Sequence, residues 1–145
     1  MDLMEEDALW KELSRFRRSD ELHCHRSQAL RYTAGVKCLV ERCGLSWLID
    51  IVAMLQRRAL QSDPDLAVFQ LWVLRCVGAE HVISCLRDSA TPMFEIVIPA
   101  RPVTAPDYLE LYVELGVLML PGEKSKLRGR QSRALAKPAE IQKRG

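Results

Sequence analysis

The fold turns on the stretch Leu109-Glu110-Leu111-Tyr112-Val113-Glu114-Leu115-Gly116-Val117-Leu118-Met119-Leu120-Pro121. Leu109, Leu111 and Val113 recur at period two, and Glu110, Tyr112 and Glu114 fall between them. Such alternation belongs to a strand with one apolar and one wetted face. Gly116 supplies a turn, Val117 to Leu120 a second apolar run, and Pro121 a stop. The reading is a β-hairpin with a short turn.

The same period extends upstream. From Met93 to Ile98 the residues Phe94, Ile96 and Ile98 share one side, and His81 to Arg87 alternates less cleanly. Val68 to Val77 is rich in β-branched and aromatic residues, with Gly78-Ala79 as a turn candidate. A turn centred there sets Val77 opposite Glu80, Cys76 opposite His81 and Trp72 opposite Cys85. Pro99, Pro102 and Pro106 make the following segment a loop, because proline cannot donate to a ladder.

Before Val68 the period is helical. Leu9, Leu13 and Phe16 stand at i, i+4 and i+7 beside Trp10, and Ser19-Asp20 interrupts the pattern. Thr33 is a candidate N-cap for a helix with the stripe Tyr32, Val36, Leu39, Val40 and Cys43. Gly44 stops that helix. Ser46 is a candidate cap for a third helix, with Trp47, Leu48, Ile51, Val52 and Leu55 on its apolar face and Arg57-Arg58 in its last turns. Ser62-Asp63-Pro64-Asp65 ends the helical half. Helices followed by strands predict an α+β fold: N-terminal helices on one face of a mostly antiparallel sheet of about five strands. A short apolar edge at Gly116 to Leu120 leaves room for homodimerisation by strand pairing.

The 145 residues, 48% of them hydrophobic and 28% charged, suit one ordinary core. Charge is unevenly placed. Residues 1–121 carry 13 Lys+Arg against 17 Asp+Glu, while residues 122–145 carry 8 against 2. The expected organisation is a single α+β domain over 1–121 with a basic, flexible tail over 122–145. No run of apolar residues is long enough to span a membrane. The acidic start Asp2, Glu5, Glu6 and Asp7 lacks the character of a secretory leader, so a cytoplasmic, reducing setting is expected. Five irregularly spaced cysteines then read as thiols.

Few residues invite chemistry. His23 and His25, with Cys24, Cys38 and Cys43, are the candidates for a metal site. On the proposed helix Cys38 and Cys43 point in different directions, so no cofactor or metal is expected. Asp50 is polar within an apolar segment, and His25, Tyr32 and Asp50 are the best candidates for an enzymic site. No Gly-rich phosphate loop, nucleophile elbow or zinc-protease pattern is present. In the tail, Lys124, Lys126, Arg128, Arg130 and Arg133 are candidate phosphate contacts, with Arg15, Arg17 and Arg18 as possible additions to the patch. The tail has no aromatic residue on which a base could stack.

Tyr32-Thr33-Ala34-Gly35-Val36-Lys37-Cys38-Leu39, then Gly44, then Trp47-Leu48-Ile49-Asp50 resembles the most characteristic stretch of a small bacterial domain family of unknown function. Phe69-Gln70-Leu71-Trp72 and the hairpin Leu111-Tyr112-Val113-Glu114 to Leu120-Pro121 extend the resemblance over roughly residues 9 to 121. Ala34 and Leu115 depart from it, standing where the family pattern has an acidic residue and an asparagine. The resemblance implies a setting in bacterial genomes, plasmids or prophages, and no activity. The functional expectation is a non-catalytic accessory or protein-binding module, in its specific form an inhibitor of a host or defence protein. Nucleic-acid binding through the tail and an unrecognised enzyme are the alternatives.

Overall fold

The structure is a computed structural model, and it describes residues 1–16, 21–102 and 104–123. Asp2 opens helix α1 (Leu3–Leu13) with a reciprocal capping box to Glu5. Two short strands follow, β1 (Leu22–Cys24) and β2 (Arg31–Thr33), then helices α2 (Ala34–Cys43), α3 (Ser46–Met54) and α4 (Gln56–Ser62). A 3₁₀ turn (Pro64–Ala67) leads into β3 (Phe69–Val77), β4 (Glu80–Asp88), β5 (Thr91–Pro99), β6 (Tyr108–Glu114) and β7 (Val117–Met119). No helix among the described residues is long and apolar enough to cross a membrane.

The α+β class is observed, but the sheet is larger than expected. Among the described residues seven strands form one sheet in the order β1-β2-β7-β6-β3-β4-β5. The five expected strands are β3 to β7, and β1 and β2 are the addition. β2 runs parallel to β7, with Arg31 opposite Val117 and Tyr32 opposite Leu118, so the sheet is mixed. Every other neighbouring pair is antiparallel. The Gly78-Ala79 hairpin has the expected register, with Cys76 opposite His81 and Trp72 opposite Cys85. The expectation of an exposed edge at Gly116 to Leu120 is overturned. β7 is paired on both sides, with β6 and β2, and the edges of the sheet are β1 and β5.

Thr33 caps α2 as expected, accepting the Val36 N–H on its hydroxyl, and Gly44 ends the helix in the left-handed conformation. Ser46 does not cap α3. The cap position is Leu45, which makes no side-chain bond, and Ser46 is already helical. The expected third helix is also divided, ending at Met54 and resuming at Gln56. Gln56 is buried and exchanges two amide hydrogen bonds with Gln70 of β3 at 2.8 and 2.9 Å. Trp72 Nε1 donates to Gln70 Oε1 at 2.8 Å, so this polar group inside the core is fully engaged.

The core lies between the helices and one face of the sheet. Leu9 and Leu13 of α1, Val36, Leu39 and Cys43 of α2, and Leu48 and Val52 of α3 meet Trp72, Leu74, Ile83, Leu109, Leu111, Val113 and Leu118. Leu71, Val73, Val82 and Met119 are buried as well, but they belong to the opposite face and stand apart from this cluster.

Candidate functional site

His25 and Asp50, apart in sequence, come together. The turn after β1 carries His25, and its Nε2 lies 2.7 Å from Asp50 Oδ1 on α3. Its Nδ1 accepts from the Ser27 backbone N–H at 3.1 Å and lies 2.8 Å from Ser27 Oγ. An acceptor Nδ1 fixes the tautomer: Nε2–H donates to Asp50, and the Ser27 hydroxyl donates to Nδ1. Arg26 approaches the other Asp50 oxygen at 3.6 Å. This is the connectivity of a serine, a base and an orienting carboxylate. Ser27 Oγ also accepts the Ala29 N–H at 3.2 Å, which ties it into its own turn. Three clefts of about 330 to 400 Å³ among the described residues are lined by side chains other than His25 and Asp50. The cluster fastens the β1–β2 hairpin to α3.

Tyr32 does not join this pair. It stacks on His23 with ring centroids 5.4 Å apart, and His23 Nε2 lies 3.2 Å from Glu21. The two histidines proposed for a metal therefore go to different partners. Among the described residues no three His, Cys, Asp or Glu side chains are grouped to hold an ion. Cys43 and Cys85 are buried thiols, and burial pushes Cys85 up to about 12. Arg15 lies 3.9 Å from Glu12 and over the Phe16 ring. Lys124, Lys126, Arg128, Arg130 and Arg133, with Arg17 and Arg18, lie outside the described residues.

The surface that stands out is the sheet face turned away from the helices. Residues of one parity project there: Leu71, Val73, Arg75 and Val77 of β3, Glu80, Val82 and Ser84 of β4, and Glu95 and Val97 of β5. β6 adds Tyr108, Glu110, Tyr112 and Glu114, and β7 adds Val117 and Met119. Val77, Val97 and Tyr108 are more than half exposed, at 51%, 51% and 53%. Between them the strip Leu71, Val73 and Val82 is buried, shielded by neighbours such as the edge-on pair Phe69 and Tyr112 and the 3.0 Å Arg75–Glu95 ion pair. Tyr108 donates to Glu110 at 2.6 Å, and that bond with the nearby carboxylate holds the phenol up at about 12. At one end the face deepens into a cleft of about 330 Å³ lined by Leu22, Arg31, Glu114, Val117, Met119 and Glu123.

Sequence reasoning found half of this surface. The period-two pattern separates Glu110, Tyr112 and Glu114 from the core residues of β6. The outward apolar residues of β3 and β4 were hidden within runs that read as apolar on both sides. Val97, set between Ile96 and Ile98, was the available signal, because it is an apolar residue on the wetted side of an alternating strand.

Residues 7–124 match a family of unknown function (DUF6876), and the chain belongs to that family. No curated protein and no solved structure matches it.

Proposed function

We propose that this member of a family of unknown function is a non-catalytic protein-binding module whose contact surface is the outer face of the sheet. The observation that carries this reading is the set of exposed apolar side chains on a face that the core does not use: Val77, Val97 and Tyr108, grouped around the Leu71-Val73-Val82 strip. Exposed apolar side chains set among charged ones are a usual make-up of an interaction site. Strands hold these side chains at fixed spacing, so little order is lost on binding. The bacterial, plasmid or prophage setting implied by the resemblance makes a host or defence protein the natural partner, with the chain as its inhibitor or accessory.

The test is capture from a bacterial lysate by the full chain and by two folded variants. Val97→Arg places a charge on the outer face, and Met54→Arg changes a residue that is 68% exposed on the helical side. A partner retained by Met54→Arg and lost by Val97→Arg, and protecting β3, β4 and β5 from chemical labelling, supports the reading. Equal capture by both variants overturns it. Retention of duplex DNA that salt releases, in place of any protein, favours nucleic-acid binding instead.

A further inference from the structure

We propose that the chain forms a two-fold homodimer by antiparallel pairing of β5 with β5 of a second copy. This goes beyond the reading of the outer face and does not rest on it.

The two edges of the sheet are unlike among the described residues. β1 pairs over three residues, whereas β5 runs from Thr91 to Pro99. An open strand of that length offers a row of unpaired N–H and C=O groups, which charged side chains commonly guard. Here the core side carries Phe94, Ile96 and Ile98, packed against the core yet each left partly exposed. On the other side Val97 is half exposed, and the one charged residue of the strand, Glu95, is paired with Arg75.

The backbone fixes which groups the edge presents. The Ala100 N–H donates to the Ala79 carbonyl at 2.9 Å, on the β4 side. In an antiparallel ladder the N–H and C=O of one residue point the same way, and the direction alternates along the strand. Those of Ile98, Ile96 and Phe94 therefore turn towards β4, and those of Pro99, Val97 and Glu95 towards the open edge. The N–H that Pro99 lacks is one that the ladder with β4 does not need.

That parity leaves few two-fold registers. Centred on Glu95, the pairing sets Glu95 against Glu95. Centred on Val97, it sets the Glu95 C=O against Pro99 of the second copy, which has no N–H to give. Centred on Ile96, Glu95 and Val97 exchange both their bonds with Val97 and Glu95 of the second copy. The same register places Ile96 opposite Ile96 and Phe94 opposite Ile98, so the exposed parts of the core side cover one another. The strand is complementary to itself, which makes a second copy its occupant.

Light scattering and amide exchange by NMR on the full chain, at about 100 µM to suit so small an interface, test the proposal. The expected result is twice the chain mass, with Glu95 and Val97 amides that slow as concentration rises. Ile96→Lys, which sets two ammonium groups face to face, should halve the mass. A second variant covers the case in which that one fails to fold. In a Cys24→Ser background, Ile96→Cys should crosslink two copies on mild oxidation, because facing Cα atoms of such a pair are about 4.5 Å apart. The more exposed Val97→Cys should not. A monomer at that concentration, a folded Ile96→Lys dimer, or crosslinking through Val97→Cys alone would each overturn the proposal. So would a monomer whose Glu95 and Val97 amides slow only with a captured protein, which gives the edge to a foreign strand. Val97→Arg should keep the dimer, since its charge meets Glu95 of the second copy. Capture on the outer face is therefore read separately from dimerisation.

Discussion

Leu115 is an unfavourable residue for its place. It has φ 52 and Gly116 has φ 80, the two left-handed positions of a type I′ hairpin turn. A leucine there loses about 1 kcal/mol against residues that tolerate the region, and its side chain, 68% exposed, recovers little. Leu115→Asn is expected to raise stability by about 0.5–1 kcal/mol, seen as a rise in thermal midpoint of a few degrees. Asp63 shows the opposite economy. The Asp65 N–H, and then Arg87 at 2.8 Å, hold its carboxyl below the usual 3.8. A depressed carboxyl stabilises the fold above the unfolded value and loses that contribution as pH falls through the folded value. The stability gap between wild type and Asp63→Asn should therefore narrow steadily below about pH 4 in denaturant titrations. Thiol labelling separates the cysteines on the same grounds. Exposed Cys24 should react at once in the native chain, and buried Cys43 and Cys85, their thiols raised by burial, only on unfolding.

At the scale of elements, α2 packs closely against the segment that follows β7. A Cβ at Gly35 would stand 2.8 Å from the Glu123 carboxyl and from Leu120 Cδ1. Gly35→Ala is expected to destabilise by about 1–3 kcal/mol despite the better helix propensity of alanine. The part of that loss due to the carboxyl should vanish in a Glu123→Ala background while the part due to Leu120 remains, a coupling that a double-mutant cycle measures. Elements with a full period were legible in the sequence: α2 between Thr33 and Gly44, the β3–β4 register, and the β6–β7 hairpin. Those without one were not. β1 and β2 are three residues each, too short to show alternation, and Leu22-His23-Cys24 reads as any loop. The break at Leu55 left no mark either, because leucine favours helix.

Over the whole molecule, the sheet is unequal. β3 lies between β4 and β6 with seven-residue registers on both sides, whereas β1 has one neighbour and three paired residues. Amide exchange is expected to be slowest in β3 and fastest in β1 and β2, and a uniform pattern would contradict this division. The candidate surface was only partly legible for a related reason. Alternation shows which side chains share a face, but the number and placement of helices decide which face is covered.

The parallel pairing of Arg31 with Val117 also bears on synthesis. A ribosome delivers β1 and β2 early, yet their neighbour β7 is among the last described segments to emerge. At about 5–20 residues per second the first hairpin waits several seconds, held by its own turn and by contacts such as His25 and Arg26 against Asp50. Long-range closure of this kind slows folding. The nascent chain therefore spends its growth with an unfinished strand on offer, and it is in that interval that a chaperone has most to do.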